Sequence, residues 1–158
     1  MAVDRGRIDR AFERAPALTA RVAAEAPFPS VDAAVARARA LVGEMSAAER
    51  AALLDAHPRI GADPRTLSAD SRREQAGGDD PAVLSELARL NDAYERRFGF
   101  RFVVFVAGRS KSAIVPVLRE RLGRTREQEL ATGTDEFLAI ARDRLGPAAG
   151  RWKHAFYR

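Results

Sequence analysis

Apolar residues recur every three or four positions along most of this chain, which is the spacing that places them on one face of an α-helix. Two short runs near the N-terminus are separated by Pro16, and longer runs follow. The spacing predicts helices over residues 5–14, 17–25, 31–42, 46–56, 81–98, 112–122 and 126–145. These patterns predict an all-α fold, built as a single compact multi-helix domain.

Capping residues support several of these helix boundaries. Ser46 and Glu49 have the spacing of a capping box, in which each side chain bonds to the backbone of the other residue. Asp80 and Pro81 suit the N-cap and the first position of the helix over residues 81–98. Gly43 is expected to end the helix over residues 31–42. The sequence therefore marks several helix ends by itself.

Two residues are unfavourable for the helices that contain them. Pro116 is expected to be tolerated because it lies near the first turn of its helix. Gly133 is expected to weaken the last helix by about 1 kcal/mol relative to alanine. That helix has a capping pair at its start, Thr125 and Gln128.

The segment Phe100–Val106 departs from the helical pattern. Its apolar residues Phe100, Phe102, Val104 and Val106 alternate, which is typical of a β-strand. The chain has no second β-rich run to pair with it, and a lone strand is not stable. The sequence therefore predicts a buried extended segment or a helix start, wedged between helices.

The composition is that of one globular domain over residues 1–158. The chain is 46% hydrophobic and 31% charged, and its length is ordinary for a single core. The absence of cysteine excludes disulfides and leaves too few ligands for a first-row metal, so we expect no metal. No apolar run has the length of a membrane span and no signal peptide is evident, so we expect a cytoplasmic protein without a membrane partner.

The formal net charge of +5 raises the possibility of nucleic-acid binding. The arginines are spread along the chain and alternate with acidic residues, as in Asp9–Arg10 and Glu49–Arg50, which is typical of solvated helix faces. Only residues 151–158 combine basic and aromatic residues in the manner of a nucleic-acid contact. We therefore expect no nucleic-acid partner, and a basic nucleic-acid-binding helical domain is the less favoured alternative.

The stretch between His57 and Gln75 contains the best candidates for chemistry. Pro58 forces His57 out of the helical conformation, so the preceding helix must stop there. The unperturbed pKa of histidine, about 6.5, suits proton transfer near neutral pH. The alternative is a structural histidine whose charged form is stabilised at the C-terminal end of that helix.

Ser71 and Glu74 also have two interpretations. Their spacing fits a capping box, which would only satisfy backbone donors at a helix start. A helix start can also offer N–H groups and side chains to an anionic ligand. A serine-hydrolase role for Ser71 is disfavoured because no glycine-flanked elbow surrounds it.

Four ordered motifs together resemble one enzyme family. They are His57-Pro58-x-Ile60-Gly61; Ser71-Arg72-Arg73-Glu74-Gln75-Ala-Gly; Leu90-Asn91-x-x-Tyr94-Glu-x-x-Phe98-Gly99-Phe100-x-Phe102; and Gly108-Arg109-Ser110. This set closely resembles the 2-oxo-4-hydroxy-4-carboxy-5-ureidoimidazoline (OHCU) decarboxylases over roughly residues 8–145, and leaves the tail 146–158 unassigned. Four motifs in this order are more specific than any one of them.

The resemblance implies an all-α homodimer that needs no organic cofactor or metal and converts OHCU to (S)-allantoin and CO2 in urate degradation. It implies that His57 is the acid–base residue and that Glu74 shares the catalytic role. Substrate-binding residues implied by the motifs are Pro58, Ser71, Arg72, Arg73, Gln75, Val104, Phe105, Val106, Ala107, Gly108 and Arg144. A catalytically silent homologue that binds a purine-derived ureide is the main alternative.

Two departures from the family pattern stand out. Ala15-Pro16-Ala17 occurs where the family often has Ser-Pro-Trp, and the loop between Gln75 and Asp80 is short. The implied chemistry itself agrees with the residues, because a decarboxylation without cofactor requires the substrate ring to accept the electrons. An arginine on the departing carboxylate would stabilise the ground state, so we expect arginines to hold ring or ureido oxygens instead.

Overall fold

The computed structural model describes residues 2–75 and 80–146, and within these ranges the chain is helical without any β-strand. A single antiparallel bridge joins Val3 to Phe28. The helices are α1 (Arg5–Ala11), α2 (Pro16–Ala23), α3 (Val31–Glu44), α4 (Ala47–Asp55), α5 (Ala69–Glu74), α6 (Pro81–Phe98), α7 (Lys111–Leu122) and α8 (Arg126–Leu145), with a short 3₁₀ turn at Pro64–Thr66. The all-α prediction is confirmed.

Several helices begin where the capping residues predicted. Ser46 and Glu49 form both hydrogen bonds of the capping box that opens α4. The Asp80 side chain accepts a hydrogen bond from the Ala82 N–H at the start of α6, and Pro81 occupies the first helical position. These side chains satisfy backbone donors that a helix start would otherwise leave unbonded.

Two of the predicted helix details are wrong. α3 passes through Gly43 and ends at Glu44, because Gly43 does not adopt the left-handed conformation that would stop a helix there. Pro116 lies inside α7 rather than in its first turn. α7 tolerates the lost hydrogen bond because its buried residues Ile114 and Leu118 anchor it in the core, where it packs against α6.

α8 is the central helix of the fold, since it contacts α1, α3 and α4. Its buried residues include Leu130, Phe137 and Leu138, and Leu145 is fully buried at its C-terminal end. A helix that is buried on several sides can carry polar residues into the interior at fixed positions. α8 does this with Arg144, which is also buried.

The segment Phe100–Val106 is a buried stretch without regular secondary structure, as predicted. The side chain of Tyr94 on α6 contacts the Phe100 ring with the centroids 6.1 Å apart and the Phe102 ring at 5.3 Å. Both pairs are edge-to-face, a favourable geometry for aromatic rings. The aromatic contacts fix this segment against α6.

Gly133 allows α8 to approach α4 closely. A Cβ atom at this position would lie 2.7 Å from Cδ1 of Leu54, which is fully buried on α4. The expectation that Gly133 only weakens its helix is therefore incomplete. Substitution to alanine gains about 1 kcal/mol of helix propensity but introduces overpacking that costs about 1–3 kcal/mol.

We expect Gly133→Ala to lower the free energy of unfolding by about 1 kcal/mol or somewhat more. Gly43→Ala is the matched control, because it is also a helical glycine and a Cβ there meets nothing within 4 Å. The control should keep or raise stability. Urea denaturation of both variants makes the comparison, and a stabilised Gly133→Ala protein would contradict the close approach.

Among the described residues, no helix has the length and apolar character needed to cross a membrane.

Candidate active site

A cleft opens between the loop after α4, the end of α5 and the segment before α7. The empty space in the cleft, including the part open to solvent, measures about 480 Å³. Of the predicted site residues, those that line it are His57, Pro58, Glu74, Gln75, Val104, Phe105, Val106, Ala107 and Gly108. The structure therefore brings together two stretches that lie about thirty residues apart in the chain.

His57 lies just beyond α4, where its N–H bonds to the Leu54 carbonyl at 3.1 Å. Its own carbonyl accepts a hydrogen bond from Arg101 at 2.7 Å, and its ring forms a T-shaped pair with the Phe137 ring, with the centroids 6.2 Å apart. The residue is only 9% exposed. Burial lowers the pKa of His57 to about 3, and the positive charge of Arg144 acts in the same direction.

His57 is therefore neutral over the whole physiological pH range. The pKa of His57 in the folded protein thus lies well below the unperturbed value, because the ring is buried to a depth that the sequence does not reveal. The alternative of a charged histidine at the end of α4 is contradicted, since burial outweighs the helix dipole. A neutral imidazole has one nitrogen that can accept a proton and one that can donate a hydrogen bond.

The lowered pKa of His57 predicts a specific loss of stability in acid. Between pH 6.5 and 3 the unfolded chain binds a proton at His57 that the folded protein excludes, so stability falls as the pH falls. The contribution is about 1.4 kcal/mol per pH unit, or about 2 kcal/mol between pH 6.5 and 5. Urea denaturation at both pH values should show this extra loss in the wild type and not in His57→Asn. An equal loss of stability in the wild type and in His57→Asn would contradict a buried, neutral His57.

α5 begins three residues earlier than the capping-box interpretation required. Ser68 is its N-cap and accepts a hydrogen bond from the Ser71 N–H at 3.0 Å. The Ser71–Glu74 capping box is therefore wrong. The Ser71 hydroxyl is free to donate to the Glu13 carboxylate at 2.8 Å, and Ser71 is almost completely buried.

Arg144 connects Glu74, which lines the cleft, to Glu13, which does not. Its guanidinium forms a two-pronged ion pair with Glu74, from Nε to Oε1 at 2.7 Å and from Nη2 to Oε2 at 2.9 Å. It also lies 3.1 Å from Oε1 of Glu13 and donates to the Ser71 hydroxyl at 3.1 Å. Its side chain is only 1% exposed, so it lies beneath the cleft rather than among the residues that line it.

The two carboxylates bound by Arg144 have opposite pKa shifts. Burial raises the pKa of Glu74, and the opposing effect of Arg144 does not cancel it. Burial also acts to raise the pKa of Glu13, but the Ser71 hydroxyl and the Arg144 charge outweigh it and lower the pKa. Glu13 is therefore the more firmly ionised partner, and Glu74 holds its charge less strongly.

Glu13 is a site residue that the sequence did not single out. It follows the short helix α1 and is next to Arg14 in the sequence. Neighbouring acidic and basic residues of this kind are typical of an exposed charged surface. Arg14 adopts a left-handed conformation with φ of 61°, in the turn between α1 and α2. Only the packing of α1 against α8 places Glu13 beside Arg144, so no local sequence signal could have identified it.

Gln75 fixes the loop that carries the histidine. Its amide oxygen accepts from the Gly61 N–H at 2.8 Å, and its amide nitrogen donates to the Arg59 carbonyl at 3.0 Å. Gln75 also lines the cleft. Its position beside Glu74 is compatible with the predicted substrate contact, and its present bonds give it a role in holding residues 59–61.

Arg72 and Arg73 do not line the cleft. Arg72 donates to the carbonyls of Pro64 and Leu67, and Arg73 pairs with Asp70 at 2.9 Å. The structure thus does not bring these two arginines to the other predicted site residues. Their role in substrate binding stays a prediction.

The opposite wall of the cleft turns sharply at Ala107 and Gly108. Both residues have positive φ, 52° and 76°, and Ala107 is one of two non-glycine residues with this conformation among those described. Arg109 holds the turn by donating to the Phe105 carbonyl at 2.6 Å and the Val106 carbonyl at 2.9 Å. A strained backbone held by such bonds is frequent at binding sites.

The described part of the cleft lining is neutral or acidic. Among the described residues that line it, none is lysine or arginine, and the acidic residues are Glu74 and Asp143. No group of three potential metal ligands occurs in the part of the chain that the structure describes. The lining thus combines a neutral histidine, a buried carboxyl, a carboxamide and an apolar backbone wall.

Known proteins resemble this chain over most of its length. A family model described as OHCU decarboxylase matches residues 5–146. A 2-oxo-4-hydroxy-4-carboxy-5-ureidoimidazoline decarboxylase of Haloferax volcanii is 34% identical over 139 residues, covering 85% of this chain and 82% of the relative. The uric acid degradation bifunctional protein PucL of Bacillus subtilis is 37% identical over 141 residues, but this region is only 28% of its length.

A solved structure confirms the fold. The crystal structure described as OHCU decarboxylase in the presence of (S)-allantoin superposes with a TM-score of 0.73 and 22% sequence identity. The match covers 88% of this chain and 94% of that one. The overall helical fold is thus shared.

Proposed function

The chain belongs to the OHCU decarboxylase family, and we propose that its cleft is where OHCU loses its carboxyl group, with His57 and Glu74 as the catalytic residues. The reaction of the family, decarboxylation of OHCU in the degradation of urate, is the function of this chain. The product is (S)-allantoin, with release of CO2. The observation that carries the assignment of the site is the meeting of His57, Glu74 and the wall at residues 104–108 in one cleft.

The reaction places defined demands on the site. The bond between C4 and the carboxylate breaks, and its electron pair forms a double bond between C4 and C5. The electrons of the ring C=N bond pass to its nitrogen, which takes up a proton from solvent. The resulting enol takes up a proton at C5, and the 4-hydroxyl group loses its proton as C4 becomes a carbonyl. The protein must therefore move a proton between defined positions and deliver it to one face of C5.

His57 is suited to this proton transfer because it is neutral. Its free ring nitrogen can accept the proton of the 4-hydroxyl group, and the imidazolium that forms can return a proton to the ring. The lowered pKa makes the charged form short-lived, which favours return of the proton. A proton held on one side of the ring would give a single enantiomer of allantoin.

Glu74 is suited to hold the ureido group. Its carboxylate lines the cleft and is anchored from below by the two-pronged ion pair with Arg144. Such a carboxylate can accept two N–H hydrogen bonds from a urea group without moving. Arg144 would then act through Glu74. The expectation that Arg144 itself binds ring or ureido oxygens of the substrate stays a prediction.

The absence of positive side chains along the described cleft lining supports a decarboxylation. A carboxylate in this cleft meets neutral or acidic groups, so its ground state is not stabilised. The CO2 that forms has no charge, so these groups do not disfavour it as they disfavour the carboxylate. The charge distribution therefore favours the transition state over the bound substrate.

The proposed function is tested by adding the protein to freshly generated OHCU and following allantoin by circular dichroism. We expect a rate far above the spontaneous decay and a signal of one sign, that of (S)-allantoin. A rate equal to spontaneous decay would identify a catalytically silent ureide-binding homologue. The same preparation, passed over heparin at moderate ionic strength, should not be retained.

The remaining partner assignments are part of this proposal. We expect a homodimer in the cytoplasm that binds a small ureidoimidazoline and no nucleic acid. The basic aromatic stretch 151–158, which prompted the nucleic-acid alternative, and the loop at 76–79 lie outside the described residues. Size-exclusion chromatography with light scattering would determine the number of subunits.

A further inference from the structure

The helix that carries Glu74 into the cleft has no buried apolar side chain. All six residues of α5 lie in the described part of the chain, and the buried ones, Asp70 and Ser71, are both polar. A helix of this length is not stable by itself, and helices in proteins are usually held by an apolar face. The position of α5, and with it that of Glu74, therefore depends on polar contacts.

Glu13, in the turn between α1 and α2, supplies the acceptor for several of these contacts. Its Oε1 accepts a hydrogen bond from the Ser68 hydroxyl at 2.9 Å and one from the Ser71 hydroxyl at 2.8 Å. The same oxygen lies 3.1 Å from Nη1 of Arg144. Donors from the start of α5 and from the end of α8 thus meet at one carboxylate oxygen.

The Ser71 hydroxyl gives this network a direction. A hydroxyl has one proton to donate, and a guanidinium can only donate. The Ser71 oxygen therefore accepts from Nη2 of Arg144 at 3.1 Å and gives its own proton to Glu13. Since Arg144 also forms two bonds to Glu74, a continuous series of bonds runs from Glu13 to the carboxylate in the cleft.

The other polar contacts of α5 are less suited to fix it against α8. Asp70 lies 3.4 Å from Arg10, whose side chain is 68% exposed, and exposed ion pairs contribute little. Arg72 donates only to carbonyls that precede α5 by a few residues. Glu13 and Arg144 are the contacts that tie α5 to distant parts of the chain.

We propose that Glu13 is a positioning residue, which holds α5 against α8 and thereby sets where the Glu74 carboxylate lies in the cleft. The inference rests on the proposed function, since it requires Glu74 to act on the substrate. Glu13 does not line the cleft, so it acts through Ser71 and Arg144.

Glu13→Asp tests the reach of the side chain while keeping its charge. The aspartate carboxylate is shorter by one methylene group, about 1.5 Å, so it cannot keep all the contacts of Oε1. We expect kcat on OHCU to fall by roughly 10- to 100-fold, because a displacement of about 1 Å in a catalytic group has effects of this size. The measurement is made well below the melting temperature, where a residue that only stabilises the fold would leave kcat unchanged.

Glu13→Gln tests the charge while keeping the reach. The contacts with Ser68, Ser71 and Arg144 all fall on one oxygen of Glu13, and an amide oxygen in the same place can accept them. This variant should therefore retain most of the activity. Glu44→Gln is the matched control and should equal the wild type, because Glu44 pairs with Arg21 on the surface and is 59% exposed.

Hydrogen exchange of the α5 amides provides a readout that does not depend on catalysis. The Arg72 N–H bonds to the Ser68 carbonyl at 2.8 Å, and the Gln75 N–H bonds to the Ser71 carbonyl at 3.0 Å. Both amides should exchange faster in Glu13→Asp than in the wild type or in Glu13→Gln. The amides of α8 should keep their protection in all three proteins.

Three results would overturn the inference. The first is a Glu13→Asp enzyme with wild-type kcat, and the second is a Glu13→Gln enzyme that is more impaired than Glu13→Asp, since charge would then matter more than reach. The third is faster exchange throughout Glu13→Asp, which would mean that Glu13 only stabilises the whole fold. Failure of the proposed function is distinguishable, because the wild type itself would then be inactive on OHCU.

Discussion

Replacing His57 with asparagine should lower the turnover of OHCU by roughly 10²- to 10⁴-fold, which is the usual contribution of a positioned proton-transfer group. Asparagine can form hydrogen bonds but cannot carry a proton between the 4-hydroxyl group and the ring carbon. His57 lines the cleft and is held neutral by burial, so its loss removes the proposed proton carrier. Circular dichroism of the allantoin formed gives the rate and the enantiomer together.

The same variant should still bind ligand and fold. Glu74, Gln75 and the backbone wall remain, and α4 ends before His57 whatever residue occupies that position. Binding of (S)-allantoin and the melting temperature are measured on the same preparation. A fully active His57→Asn protein with a slightly lower melting temperature would mean that the histidine is structural.

Replacing Glu74 with glutamine should reduce turnover by roughly 10²-fold or more, the effect expected when a preorganised charged group is lost. The amide keeps one oxygen acceptor but removes the charge that pairs with Arg144 and that would bind the ureido N–H groups. A capping role would leave turnover unchanged, because glutamine serves equally well in a capping box. The test is to measure kcat of the variant at a temperature well below its melting temperature, where it is folded.

Glu74→Gln should also lower the stability of the fold. Arg144 is buried and loses a charged partner, so we expect the free energy of unfolding to fall by about 1–3 kcal/mol, with Glu13 still paired. Glu86→Gln is the control, because Glu86 pairs with Arg89 and Arg119 away from the cleft. An active Glu74→Gln enzyme would remove Glu74 from the catalytic residues.

The sequence predicted the helices and the histidine loop because both depend on local signals. The capping pair at Ser46 and the stop at Pro58 act within one turn of the chain, and both ends of α4 follow from them. The aromatic alternation after Gly99 likewise identified a buried segment that has no strand partner. At Ser71 the predicted boundary was wrong because Ser68, a residue of the same propensity, is the N-cap. At Gly43 it was wrong because a glycine ends a helix only where the backbone turns left-handed, and Gly43 stays helical.

The electrostatics of the site could not be predicted from the sequence. The pKa of His57 depends on how deeply the ring is buried, and the partnership of Glu13 with Arg144 joins residues from opposite ends of the chain. Gly133 is a similar case, since its importance comes from a contact with Leu54 on another helix. These properties arise from tertiary packing, for which no local pattern exists.

The central claim is that the cleft at His57 holds the substrate, and an NMR titration with (S)-allantoin tests it most directly. We predict chemical-shift changes concentrated at the His57 imidazole, the Gln75 side-chain amide and the backbone amides of residues 104–108. The imidazole should remain neutral from pH 7 down to about pH 5 in the free protein. Shifts confined to another surface, such as the apolar groove between Ala17 and Met45, would contradict the account.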